Sequence, residues 1–232
     1  MRLSAYLGLD VRLQARYRLY VFGIAVAMLL GALAKASIPA RAWPEAWAAL
    51  AVLGMGGTTF LFGAGMLLLE GREKTLLALR VTPSSPLPYL GAKVLSLGGF
   101  ATLESAILFG LLSGPSVSLL PAALGLAFLA AVTTLVGVGL AAGHDAITRF
   151  LFPGGALVAV VLQLPLVPFL GWGPHWPWVW IPSYPAAALL WGAVTDWSWS
   201  HLVGMTALGT LQSAAVGAFA VWRLERGLGW LR

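Results

Sequence analysis

The stretch LLLEGREKTLLALRVTPSSPLPYL, residues 67–90, interrupts an otherwise apolar sequence. Four charged residues lie within five positions of one another: Glu70, Arg72, Glu73 and Lys74. Apolar runs long enough to cross a bilayer lie on both sides of them. Thr82-Pro83 favours a turn, because the residue before a proline is disfavoured in a helix. The stretch therefore predicts a compact loop between two membrane-spanning helices, and Glu70 and Lys74 have the four-residue spacing of a helical ion pair.

The composition of the whole chain agrees with a membrane protein. Of its 232 residues, 59% are hydrophobic and only 9% are charged, whereas a soluble domain carries about 25% charged residues. The net charge of +6 lies at the ends of apolar segments and forms no basic face, which favours a membrane surface over nucleic acid. The chain has no cysteine, which excludes disulfides and cysteine-ligated metals.

Six apolar stretches are long enough to span a bilayer as helices. We predict an all-α membrane protein that forms a single transmembrane domain over residues 1–232, with these spans: 19–37, 47–69, 89–112, 119–142, 150–171 and 201–222.

The basic residues orient these spans. If the spans alternate in direction, 12 of the 14 lysines and arginines fall on one side, and only Lys35 and Arg41 fall on the other. Because cytoplasmic loops are enriched in positive charge, we expect a multi-pass protein with both termini and the 67–90 loop in the cytoplasm.

Two further segments carry membrane signals. Five apolar or aromatic residues recur at helical spacing before the first span: Tyr6, Leu9, Leu13, Tyr17 and Tyr20. They predict an amphipathic helix in the inner interface, or an early continuation of the first span. Seven of the 11 tryptophans crowd the proline-containing segment 172–199. We interpret it either as partly embedded, with a short re-entrant helix over 186–193, or as a loop resting on the headgroups.

A few residues are candidates for function. Glu104 lies in the middle of a span, where an acid either lines a translocation path or makes a structural hydrogen bond to Thr102, Ser105 or a neighbouring helix, with its carboxyl group protonated or ionised. Gly139 and Gly143 form a GxxxG pair that favours helix packing, within one chain or between two. His144, His175 and His201 lie in separate loops or span ends and are not expected to bind a metal. Hydrolase and phosphate-loop motifs are absent from the sequence, so we expect no enzymatic activity.

The charged loop resembles the first cytoplasmic loop of type-2 ABC exporter permeases, and in particular that of small bacterial drug-export permeases of the fluoroquinolone type. The residues that carry the resemblance are Glu70, Arg72, Glu73, Thr75-Leu76, Leu79, Thr82-Pro83 and Lys93. Lys74 departs from the pattern, since relatives often have glycine before the threonine. The resemblance extends to the six spans, the interfacial N-terminal helix and the proline-containing segment before the last span.

This resemblance implies a transport subunit of a bacterial or archaeal cytoplasmic membrane that exports a hydrophobic or amphipathic substrate. The loop would be a coupling helix that docks on a separate ATP-binding subunit through Glu70, Arg72, Glu73, Lys74, Thr75, Leu76, Leu79, Thr82 and Pro83. His144, Asp145 and Arg149 would make a secondary cytoplasmic contact. ATP and Mg²⁺ would bind the partner subunit, and a second permease copy or a related permease would complete the transporter.

Other functions stay open at this point. The chain fits a stand-alone secondary transporter or channel that uses Glu104 as its ion site, although it shows no clear inverted repeat. An intramembrane enzyme or assembly factor is a further alternative. Within the exporter family, a haem- or lipid-exporting relative has the same loop motifs, because these motifs do not encode the cargo.

Overall fold

The computed structural model describes residues 3–76, 85–112, 117–195 and 197–228. In these ranges the regular secondary structure is helical. The α-helices are α1 (Leu3–Arg16), α2 (Leu19–Ser37), α3 (Trp43–Leu50), α4 (Gly56–Arg72), α5 (Pro86–Leu112), α6 (Leu119–Ala141), α7 (Ile147–Phe150), α8 (Ala156–Val161), α9 (Tyr184–Val194) and α10 (Trp199–Leu228). A π-helical turn, Ala51–Met55, joins α3 to α4 without a break.

Among the described residues, five helical runs are long and apolar enough to cross a membrane: Leu19–Ser37, Ala40–Arg72, Pro86–Leu112, Leu119–Ala141 and Trp199–Gly227. They correspond to five of the six predicted spans. The all-helical, multi-pass class predicted from the sequence is confirmed at this level.

The remaining predicted span, 150–171, is not one continuous helix. It begins at the last residue of α7 and contains a π-helical turn at Leu151–Gly155, α8, and two 3₁₀ turns at Leu164–Leu166 and Pro168–Leu170. Three prolines lie within this stretch, at positions 153, 165 and 168. A proline inside a helix removes a backbone hydrogen bond and clashes with the preceding turn, which explains the short segments. A sixth crossing in this region stays a prediction.

Helix α6 lies at the centre of the bundle and packs against α4, α5, α9 and α10. Its closest approach is to α4, where a Cβ atom added to Gly137 would overlap the carbonyl oxygen of Phe60. The hydroxyls of Thr59 and Thr133 lie 2.6 Å apart across the same contact. Small residues let membrane helices approach closely, and a hydroxyl pair then joins them.

The core is divided along the bundle axis. One buried cluster joins α3, the end of α5, the start of α6, and α9. The other joins the ends of α4, α6 and α10 to the start of α5. We call this second end of the bundle the basic end, because most of the described lysines and arginines lie there, while Lys35 and Arg41 lie at the opposite end.

The predicted short helix over 186–193 is present as α9. Nearly all of its residues are buried, and its carbonyl at Ala186 lies close to Gly125 of α6. The N-terminal helix is present as α1, and it is separate from the first span because Arg18 adopts a left-handed conformation with φ 56°. The positions of α1 and α9 relative to the membrane stay predictions.

The two glycines of the predicted GxxxG pair both lie where α6 meets α10. A Cβ atom on Gly139 would come within 2.9 Å of the Phe219 ring. Gly143 follows the end of α6 and has φ +95°, a conformation that favours glycine. Arg223 of α10 donates hydrogen bonds to the carbonyls of Gly139 and Ala142, at 3.2 and 3.0 Å. The pair therefore serves a contact within the chain.

Candidate functional site

The charged loop begins with a sharp change of direction at the end of α4. The backbone N–H of Glu73 still donates to the carbonyl of Leu69 at 2.9 Å, but Lys74 has φ 59°. This left-handed conformation is one that glycine adopts without steric cost. Lys74 therefore occupies a backbone conformation that favours glycine.

The structure brings three charged side chains together in a buried cluster at the basic end. Lys93 is completely buried, and its Nζ donates to Glu70 Oε1 at 2.6 Å and to Asp10 Oδ1 at 3.1 Å. The Tyr89 hydroxyl donates to Glu70 Oε2 at 2.7 Å. We call Asp10, Lys93 and Glu70 the buried charge cluster. It ties α1, the end of α4 and the start of α5 to one another.

This arrangement corrects the predicted pairing of Glu70 with Lys74. Helix α4 ends at Arg72, and Lys74 itself has a left-handed backbone conformation, so its side chain does not continue the helix surface that carries Glu70. Glu70 is only 2% exposed and pairs instead with Lys93. A buried lysine requires such a partner, because an unpaired charge out of water costs several kcal/mol. Glu70 therefore points into the protein and presents no docking surface.

The sequence analysis missed Asp10 and Gln14. Both are buried on the face of α1 that also buries Tyr6 and Leu13, and Gln14 donates to the Ser96 hydroxyl at 2.9 Å. The signal was present, because an acid on the apolar face of an amphipathic helix requires a partner. Burial raises the pKa of Asp10, and the attraction of Lys93 offsets this only in part.

Glu73 and Leu76 lie against their own chain. Glu73 forms an ion pair with Arg16 at 3.5 Å and accepts a hydrogen bond from the Tyr17 hydroxyl, which raises the pKa of Tyr17. Leu76 is 4% exposed and belongs to the core cluster of the basic end. The turn is therefore attached to α1 on one side and to the core on the other.

Of the other predicted docking residues, three lie at the turn and three lie outside the described residues. Arg72 and Lys74 are exposed, and the Thr75 hydroxyl donates to the Glu70 carbonyl at 3.0 Å, which stabilises the turn. The predicted contacts at Leu79, Thr82 and Pro83 lie outside the described residues.

The two predicted contact loops meet at one cleft of about 380 Å³. Its walls come from the end of α4 with the following turn, and from the loop after α6: Leu67, Leu68, Gly71, Arg72, Leu76, Ala141, Gly143, His144 and Asp145. Asp145 also forms an exposed ion pair with Arg149 at 2.7 Å, and the His144 ring packs edge-on against Phe150. The cleft has an apolar floor and a charged, exposed rim.

Glu104 lies far from this cleft, in the middle of α5. It is 2% exposed, and its Oε2 accepts a hydrogen bond from the Thr58 hydroxyl of α4 at 2.9 Å. The predicted structural partners on its own helix, Thr102 and Ser105, do not bind it in the hydrogen bonds given for the described residues; Thr102 donates instead to the Gly98 carbonyl. The hydrogen bond comes instead from a neighbouring helix, and the donor residue Thr58 was not predicted because the contact joins two spans 46 residues apart.

Comparison with known proteins adds no relative, because no family model, curated protein or solved structure matches the chain.

Proposed function

We propose that the chain is the membrane-spanning permease subunit of an ATP-driven exporter that resembles type-2 ABC exporters. The observation that carries the proposal is the buried charge cluster. It fixes the end of α4, the start of α5 and α1 to one another directly beneath the exposed turn at Lys74. A force applied to that turn is transmitted into the membrane helices, because packed and paired elements move together.

The surface offered to the ATP-binding subunit is the rim of the cleft. Arg72, His144 and Asp145 line the cleft, and the exposed Lys74 and Arg149 lie within four residues of them along the chain. Glu70 and Leu76 are buried beneath this surface, and the exposed Glu73 is held beside it by Arg16. The docking contact that we propose is therefore the charged rim, and not the buried Glu70 and Leu76.

The proposal also fixes the topology. The basic end and both termini lie in the cytoplasm, α1 lies in the inner interface, residues 150–171 supply a sixth crossing, and α9 is a re-entrant segment. A second copy of the chain, or a related permease, supplies the other half of the transporter. ATP and Mg²⁺ bind the partner subunit, and this chain carries no ATPase site. The membrane is the cytoplasmic membrane of a bacterium or archaeon.

An apolar groove is the observation that favours a hydrophobic or amphipathic cargo, drug-like or lipid-like. It has a volume of about 510 Å³ and lies between α5 and α6. Trp47 and Phe109 line one part of it, and Gly98 and Gly99 leave space along α5. Sites for apolar small molecules have this size and character.

The test is site-specific photo-crosslinking in cells that co-express a candidate ATP-binding subunit, encoded next to the gene of this chain. A photoreactive residue at Lys74 is expected to crosslink to that subunit, whereas the same residue at exposed Lys35, at the opposite end of the bundle, is not. Inverted vesicles with both proteins should take up a hydrophobic dye only with ATP, and Lys74→Glu should lower that uptake. Crosslinking from both positions, or uptake that is independent of ATP, contradicts the proposal.

A second candidate is a stand-alone secondary transporter or channel that uses Glu104. It is favoured by one observation, namely the buried Glu104 Oε1, which has no hydrogen-bond partner among the described residues. The same vesicle assay separates the two functions, because a proton-coupled transporter takes up the dye with a pH gradient and without ATP.

A further inference from the structure

Glu104 lies under a helix whose buried face consists of small residues. The residues of α2 that face the bundle are Gly23, Ala27, Gly31 and Ala34. A Cβ atom added to Gly23 would overlap both Glu104 Oε1 and the Phe100 ring. A small-residue face lets helices approach closely, and here it brings the backbone of α2 directly onto the carboxyl group.

The carboxyl group has one hydrogen bond, from Thr58, and its Oε1 is buried without a partner among the described residues. The cavity beside it is lined on three sides by uncharged residues: Val26, Ala27 and Leu30 of α2, Gly54 and Met55 of the π-helical turn, Thr58 of α4, and Leu108 of α5. The nearest titratable group on α2 is Tyr20, whose ring packs 5.2 Å from that of Phe100. An ionised carboxylate in such surroundings is costly.

The space around Glu104 decides which ligand it can hold. The cavity measures only about 10 Å³, which is close to the minimum for one water molecule. Glu104 and Thr58 are its only polar side chains, whereas hard metal cations take roughly six or more oxygen ligands. The site therefore fits a proton and excludes a coordinated metal ion or a larger substrate.

Helix α2 is also weakly held. Only 22% of its most apolar stretch is buried inside the chain, against 56% for the run Ala40–Arg72. The π-helical turn beside Glu104 is of a kind that often marks functional positions. A charge that forms under a weakly held helix draws in water, and α2 is the element that can move to admit it.

We propose that Glu104, Thr58 and Gly23 form a proton-binding site that controls the docking of α2. With a proton bound, α2 lies against α4 and α5. Loss of the proton charges Glu104 and moves α2 away, which opens the seam between these helices to water. The site operates in this chain alone and does not depend on the proposed export function.

The test uses the absence of native cysteine. Spin labels on cysteines introduced at two exposed positions, Leu29 of α2 and Leu211 of α10, report the position of α2 in lipid nanodiscs. Over roughly pH 5 to 9, which brackets the values known for buried carboxyls, the distance between the labels should shift reversibly. Glu104→Gln mimics the protonated form and should hold the low-pH distance at every pH.

Two controls keep the result specific. A label pair at Leu95 of α5 and Leu211, which leaves α2 unlabelled, should give a distance independent of pH. Glu45→Gln, at a half-buried carboxyl outside this cavity, should leave the pH response of α2 unchanged. The infrared band of a protonated carboxyl should be lost in Glu104→Gln and retained in Glu45→Gln. An α2 distance that does not change with pH, or that changes equally in Glu104→Gln, overturns the proposal.

Discussion

Replacing Lys93 with methionine removes the positive charge that Asp10 and Glu70 share. Methionine keeps the length and flexibility of the side chain, so the main change is the loss of two charge-assisted hydrogen bonds, of 2.6 and 3.1 Å. Both carboxyls stay buried, at 3% and 2% exposure. Breaking a buried ion pair by removing one partner costs about 3–5 kcal/mol. We expect the free energy of unfolding to fall by an amount in that range. The equilibrium constant for unfolding should therefore rise by a factor of roughly a hundred or more.

The assay is reversible unfolding in mixed micelles, followed by helical circular dichroism. Lys35→Met is the matched control, because Lys35 is exposed at the opposite end of the bundle, and its effect should stay within about 0.5 kcal/mol. The triple variant Asp10→Asn, Glu70→Gln, Lys93→Met removes all three charges together. It should recover much of the lost stability, since uncharged replacements of a buried ion cluster are often tolerated.

Acid should also reduce the deficit of Lys93→Met, because protonation of the two carboxyls removes the unpaired charge. A Lys93→Met variant as stable as Lys35→Met, or a triple variant less stable than the single one, would refute the assignment of the buried charge cluster as the tie between α1, α4 and α5.

Two further substitutions test the backbone geometry. Gly137→Ala should lower stability by about 1–3 kcal/mol, because its new methyl group overlaps the carbonyl oxygen of Phe60. Gly99→Ala is the control, because the space around Gly99 is open, and it should be neutral or stabilising in the same unfolding assay. Equal losses of stability in the two variants would contradict the close contact of α4 and α6. Lys74→Gly should raise stability by up to about 1 kcal/mol, because glycine relieves the left-handed conformation; a loss in the same assay would contradict that conformation.

Hydropathy located five helical runs and gave close bounds for two of them, while the runs Ala40–Arg72 and Trp199–Gly227 are longer than the predicted spans 47–69 and 201–222. The first predicted span, 19–37, coincides with Leu19–Ser37, and the span 119–142 differs by one residue from Leu119–Ala141. Neither stretch has a proline beyond its first turn, so nothing in the sequence ends the helix early. The stretch 150–171 is equally apolar, but Pro153, Pro165 and Pro168 interrupt it, and hydropathy does not register the lost hydrogen bonds.

The candidate site was less predictable, because its contacts join distant parts of the chain. The spacing of Glu70 and Lys74 predicts a local pair, but a buried lysine 23 residues away supplies the stronger partner. Asp10 lies 83 residues from Lys93, and a single sequence gives no signal that links them. The sequence does show a charged residue on the apolar face of a helix. Such a residue indicates that a partner exists, but it does not show which residue the partner is.

The close contact between α4 and α6 has a consequence for motion. Where two backbones touch, as at Gly137 and Phe60, neither helix can rotate or slide without the other, so α4 and α6 move as one rigid block. Helix α10 belongs to the same block, because Arg223 bonds the carbonyls of Gly139 and Ala142. The freedom of the molecule then lies in α2, whose most apolar stretch is only 22% buried, so a change of shape is expected at α2 while the centre of the bundle keeps its arrangement.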